Sequence, residues 1–184
     1  MKGQPTKNEL VSCTVAKSVP EQELNLVEVD VAAVVDLCSR LLPGMVERHR
    51  GALLNVASVA AFGPLPGQAA YGAAKAFVLS YTHSLRGELR GTGVSATALC
   101  PGPVDTGFGE AAGFSKEEAE SVLPQVMWIA ADKVAQAGID GLAAGKAVVV
   151  PGRVNRVASA FFRVAPPELL LPILVRSHPG VKRD

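Results

Sequence analysis

The chain has 184 residues, 48% of them apolar, and a formal net charge of +1. That length suits one domain with a substantial core, and near-neutrality gives no reason to expect a nucleic-acid partner. Cys13, Cys38 and Cys100 lack paired spacing, and His49, His83 and His178 are scattered, so neither a disulfide framework nor a metal site is indicated. No run approaches the ~20 apolar residues of a membrane span.

Residues 1–19 show no clear period, and an irregular arm or one short strand is expected there. Lys2 and Lys7 precede only a short mixed apolar patch over residues 10–16, unlike a secretory leader, so a cytoplasmic location is the default. Pro20 opens a helix whose first turn holds Glu21 and Glu23, where the helix dipole favours acids. Val27, Val31, Val34, Cys38, Leu41 and Leu42 form its apolar stripe, and Pro43 is expected to kink it before it ends near Gly51.

An apolar run over residues 52–58 reads as a buried strand ending at Ser58. A Pro/Gly loop over 62–67 leads into a helix over 68–90, stopped by Gly91-Thr92-Gly93. A strand over 94–100 and a loop over 101–106 follow, then a segment over 107–131 of the kind that covers a substrate. Asp132 is placed to cap a helix reaching about Ala144, with Gly145 as its stop, and 147–150 form a last strand. Strands alternating with helices imply a parallel sheet with right-handed crossovers. A helix over 154–164 and an apolar stretch over 169–175, broken by Pro172, complete the chain.

Charge is uneven along it. Residues 151–184 carry Arg153, Arg156, Arg163, Arg176, Lys182 and Arg183 against Glu168 and Asp184. A solvated helix face explains such a tail, and weak contact with a membrane surface is the alternative.

Chemistry concentrates at Ser58, Tyr71 and Lys75. Tyr71 and Lys75 are four residues apart and so share one face of their helix. The strand ending at Ser58 delivers a hydroxyl toward that phenol and ammonium, a set suited to proton transfer at a carbonyl or alcohol carbon. Gly87, Gly91 and Gly93 match the spacing of a dinucleotide-binding turn, but they end a helix and lead into a strand, the reverse of the required context. They read as a helix stop.

Ser58, the Tyr71-Gly72-Ala73-Ala74-Lys75 stretch and Pro101-Gly102-Pro103-Val104-Asp105-Thr106 together resemble the short-chain dehydrogenase/reductase family. The similarity runs from about Pro20 to Gly152. It implies a Rossmann-like α/β fold, here with about three core strands flanked by helices, and hydride transfer between NAD or NADP and a carbonyl or alcohol. By the resemblance Tyr71 is the general acid/base, and Lys75 lowers the Tyr71 pKa and bonds the nicotinamide ribose. Ser58 bonds the substrate oxygen. The backbone of Pro101, Gly102 and Val104, with Thr106, meets the nicotinamide carboxamide. The family pairs its two long helices across a dimer interface, which implies a homo-oligomer.

Two departures stand out. The family's opening strand, glycine-rich turn and helix do not precede Pro20, so the chain reads as the later part of the family's domain: an arm over 1–19, the Rossmann-type part over 20–152 and a basic, apolar tail over 153–184. Asp30 stands where the family has an asparagine that holds a water in a proton relay, and its charge is placed to pair with Lys75. Two functions are therefore expected in competition. One is an NAD(P)-dependent oxidoreductase acting on a small apolar carbonyl or alcohol. The other is a cofactor-free remnant acting as an interaction module or having no catalytic activity.

Overall fold

In strand β2 (Val94–Leu99) alternate side chains divide between two layers of helix. Val94, Ala96 and Ala98, with Cys100 just beyond the strand, face one side, where they meet Cys38, Leu85 and Val78. Leu99 faces the other side, against Val134. This period of two is what a strand buried on both faces requires. β2 is the centre of a three-stranded parallel sheet, flanked by β1 (Gly51–Val56) and β5 (Val148–Val149). The computed structural model describes residues 19–106 and 124–177. Residues 1–18 of the expected N-terminal arm, Cys13 among them, and residues 107–123 of the covering segment expected over 107–131 lie outside the described residues; the rest of that segment holds a 3-10 turn (Gln125–Met127) and a two-residue strand.

One side of the sheet is covered by a long helix in three stretches and by α3 (Ala69–Glu88). The long helix runs as α1 (Pro20–Val27), a π-helical stretch (Glu28–Ala32) and α2 (Ala33–Glu47). Pro20 and the two early glutamates stand at its start as expected. Of its apolar stripe, only Cys38 is buried, while Val27 and Leu41 are exposed. Pro43 lies inside α2, and the irregularity comes earlier, where the amide of Ala33 donates to the carbonyl of Glu28 five residues back. α4 (Ala131–Ala143) covers the opposite face. Its Gly138 lies so close to Leu54 and Leu99 that an added Cβ would stand 2.9 Å from a Leu99 methyl.

Asp132 is in the first turn of α4, and Ala130 occupies the cap position expected of it. The 101–106 loop contains a two-residue strand, β3 (Val104–Asp105), paired in parallel with β4 (Ile129–Ala130). The chain closes with α5 (Arg153–Val164) and α6 (Pro167–Ser177), the latter carrying Pro172 within a continuous helix. Among the described residues β1 pairs only with β2.

Candidate active site

The parallel strands β1 and β2 end level with one another, and the site is built on those ends. The amide of Ala57 donates to the Leu99 carbonyl at 2.8 Å, and that of Val59 to the Pro101 carbonyl at 2.9 Å. These bonds carry the ladder past the strands and fix Ser58 beside the Pro101-Gly102 turn. Ser58 has extended backbone and caps a 3-10 turn over Val59–Phe62, its Oγ accepting from the Ala60 amide at 3.1 Å. Because that oxygen already accepts, its own O–H is left to donate.

Tyr71 is in the first turn of α3, and its hydroxyl hydrogen-bonds with the Ser58 side chain. Lys75 lies one turn on, its Nζ 5.6 Å from the Tyr71 ring centroid. The ammonium is engaged elsewhere: it donates to Asp30 Oδ1 at 3.1 Å in a half-buried ion pair. Asp30 sits in the π-helical stretch, whose extra residue per turn breaks the regular face pattern of the helix. All four residues named from sequence are thus brought together.

The resemblance leads one to expect a phenol acidified by Lys75, and the structure reverses that expectation. Burial pushes the Tyr71 pKa above its ordinary value, the Ser58 hydrogen bond pulls partly back, and the Asp30 carboxylate pushes it up again. With Lys75 neutralised by Asp30, Tyr71 stays protonated at neutral pH.

Replacing Asp30 by Asn removes the negative charge that raises the phenol and releases the ammonium, and both changes favour phenolate. In a Tyr81→Phe background Tyr71 is the sole tyrosine of the chain. Its tyrosinate absorbance is expected to titrate above pH ~10, and Asp30→Asn is expected to move that titration to lower pH. An unmoved or upward-moved titration would contradict the assigned electrostatics.

Pro101, Gly102 and Val104 line the same end of the sheet, with Thr106 exposed beyond them. Asn155 supports this loop and escaped the sequence reading. It is 1% exposed, and its Nδ2 donates to the Met127 carbonyl at 3.0 Å and the Pro151 carbonyl at 3.2 Å. A Cβ on Gly102 would stand 2.5 Å from that nitrogen, so glycine is what lets Asn155 reach across. Asn55 was also missed. From β1 it donates to Thr82 Oγ1 at 3.0 Å, and Thr82 in turn donates to the Val78 carbonyl, which locks α3 against the strand that leads to Ser58. Cys100, below the Pro101 turn, is fully buried, and burial pushes its thiol up to about 12, which makes it an inert packing group.

The donor set at this end fits the nicotinamide-riboside end of a dinucleotide: an ammonium, a phenol and loop backbone at the carboxyl ends of parallel strands. Among the described residues no group of three His, Cys, Asp or Glu converges to hold a metal.

Comparison with known proteins places these features in context. The sequence model of the short chain dehydrogenase family matches residues 12–117. An uncharacterized oxidoreductase of Myxococcus xanthus is 46% identical over 90 residues, covering 48% of this chain and 36% of that protein. Sulfoacetaldehyde reductase 2 of Chromohalobacter salexigens is 38% identical over 96 residues, covering 48% of this chain and 38% of that protein. A short-chain dehydrogenase from Burkholderia cenocepacia, solved in complex with NADP, superposes with a TM-score of 0.71 at 26% identity, covering 91% of this chain and 66% of that one. A 7beta-hydroxysteroid dehydrogenase structure superposes at 0.73 with 19% identity, over 88% and 61% of the two chains, a likeness of fold. The chain spans well under two thirds of the length of these two curated relatives.

Proposed function

This chain belongs to the short-chain dehydrogenase/reductase family, and from that premise we propose that it carries the proton-transfer centre of an NAD(P)-dependent oxidoreductase that interconverts a carbonyl and an alcohol. The observation that supports this most is the hydrogen bond between Tyr71 and Ser58 at the carboxyl ends of β1 and β2. Ser58 offers its O–H to the substrate oxygen, and Tyr71 delivers a proton to the same oxygen as charge develops there. At neutral pH the phenol holds its proton, the form that donates in carbonyl reduction.

Lys75 and Tyr71 would hold the nicotinamide ribose, and the backbone of Pro101, Gly102 and Val104, with Thr106, its carboxamide. The nicotinamide supplies the hydride when it is bound. Asp30 competes for Lys75 and is a positioning residue in this scheme. A small apolar ketone or aldehyde is the substrate class that suits the apolar surroundings. A homo-oligomer is the partner reading, supported by the exposed Leu37, Leu41 and Phe77 on the long helices.

A second reading, a cofactor-free interaction module, is favoured by the Asp30–Lys75 ion pair, which occupies the ammonium the ribose needs. The two separate in one assay. With NADPH or NADH at millimolar concentration, oxidation of the cofactor that depends on an added apolar ketone is expected, with a cofactor KM well above micromolar. Calorimetry showing no cofactor binding at these concentrations, together with no ketone-dependent oxidation, would support the interaction module instead.

A further inference from the structure

α5 is folded inside out for a surface helix. Its buried residues are polar, Asn155 at 1% and Ser159 at 3% exposure, while Val157 is 72%, Phe161 59% and Val164 79% exposed. With Val154 these apolar residues step by three, four and three, which at 3.6 residues per turn makes one continuous stripe along the outward face. Arg153, Arg156 and Arg163 occupy the flank between that stripe and buried Ser159 by the same spacing. α6 adds a second exposed apolar pair: Leu170 is buried at 4%, while Leu169 at 67% and Ile173 at 66%, four residues apart, share one exposed face with Arg176 in the last turn.

A soluble surface does not place phenylalanine, valine and leucine together over two successive helices without something to cover them. Charge identifies the cover. Residues 151–184 hold six Lys/Arg against two acids, so a protein surface of ordinary composition is a poorer match than an anionic one. Aliphatic and aromatic side chains on one face with arginines along the flank are the features of helices that lie in the headgroup layer, apolar face down, with arginine stems reaching up to phosphate. Neither helix can do more than lie there: they have 12 and 11 residues, and no helix among the described residues is long and apolar enough to cross a membrane.

We propose that the outward face of α5 and α6 docks on the surface of a bilayer carrying anionic lipid. The docked face lies close to the candidate site, because α5 also packs on the 3-10 turn that follows Ser58, with Phe162 against Gly63 and Arg163 5.5 Å from the Phe62 ring centroid. An apolar substrate dissolved in the bilayer would thus be met about one helix diameter, ~10 Å, from the 3-10 turn that Ser58 caps.

Vesicle sedimentation of the full 184-residue chain tests the proposal with two lipid compositions, phosphatidylcholine alone and phosphatidylcholine with phosphatidylglycerol. The chain is expected to pellet with the anionic vesicles, to be released by salt, and to remain largely in solution with the neutral ones. Arg153→Gln and Arg176→Gln, both at exposed positions, are expected to weaken binding about fivefold each. Val157→Glu with Phe161→Glu is expected to abolish it while leaving the circular dichroism unchanged, since both side chains already face outward. Equal partition between the two vesicle types, or no binding to either, would overturn the proposal. So would sedimentation velocity showing a stable dimer that the double Glu variant splits and that does not bind vesicles, because the cover would then be a second copy of the chain.

Discussion

Tyr71→Phe is expected to lower carbonyl reduction by about 10²–10⁴-fold at saturating substrate, the range a single positioned acid contributes. The reason lies in what surrounds the hydroxyl. Ser58 is committed to the Ala60 amide and keeps one O–H, which can polarise the substrate oxygen but is a far weaker acid than a phenol. Lys75, the other nearby proton carrier, is held by Asp30 at 3.1 Å. Removing one oxygen therefore removes the proton source and leaves no substitute within reach. The ring stays, so packing at the start of α3 is preserved and stability should hardly change. Ketone-dependent oxidation of NADPH compared between the two proteins measures the effect, and equal rates would remove Tyr71 from the chemistry.

Gly93→Ala is expected to cost about 3 kcal/mol of stability, against about 1 kcal/mol for Gly91→Ala two residues earlier. Both glycines have left-handed backbone, φ +79° at Gly91 and +82° at Gly93, so both substitutions carry the conformational penalty of an L-residue there. They differ in what a Cβ meets. At Gly91 nothing lies within 4 Å, whereas at Gly93 it would collide with the carbonyl of His49. That carbonyl belongs to the turn between α2 and β1, itself left-handed at His49 with φ +52°. Two helix-to-strand turns thus rest on one another just before Gly51 pairs with Val94, and this contact starts β1 and β2 level. Levelling the strand starts also levels their ends, where Ser58 meets the Pro101 turn. Urea unfolding of both variants reads the difference; equal midpoints would mean that the His49 contact does not set the register.

How much of this could be read from residues alone depends on the range of the interactions. The strands around residues 52–58 and 94–100 and the helix bearing Tyr71 and Lys75 were legible because an apolar run, a four-residue step and a glycine stop are local signals. So was the meaning of Gly91 and Gly93 as a helix stop. The β3–β4 pair was hidden, because strands of two residues show no period and Val104 sits in a Pro-Gly loop. The π-helical stretch was hidden because Glu28–Ala32 has no composition that separates it from an ordinary turn. Buried polar partners were also out of reach: Asn55 finds Thr82 27 residues away, and Asn155 finds Met127 28 residues away. The Lys75–Asp30 pair spans 45 residues, yet it was anticipated, since the family resemblance put Asp30 in the site. What the four-residue step could not show was the burial of Tyr71, which raises the phenol, with the Asp30 carboxylate adding to the rise.

Hydride transfer itself can be followed through an isotope. Incubating the chain with an apolar ketone and millimolar NADPH carrying deuterium at the transferable C4 position, then weighing the product by mass spectrometry, asks whether this chain joins cofactor and substrate in one event. Alcohol bearing one deuterium on the carbinol carbon, formed by the native chain and lost in Tyr71→Phe, is the result expected of a proton-transfer centre built from Ser58, Tyr71 and Lys75. Ketone recovered unreduced, or alcohol formed equally by the Tyr71→Phe chain, would contradict it.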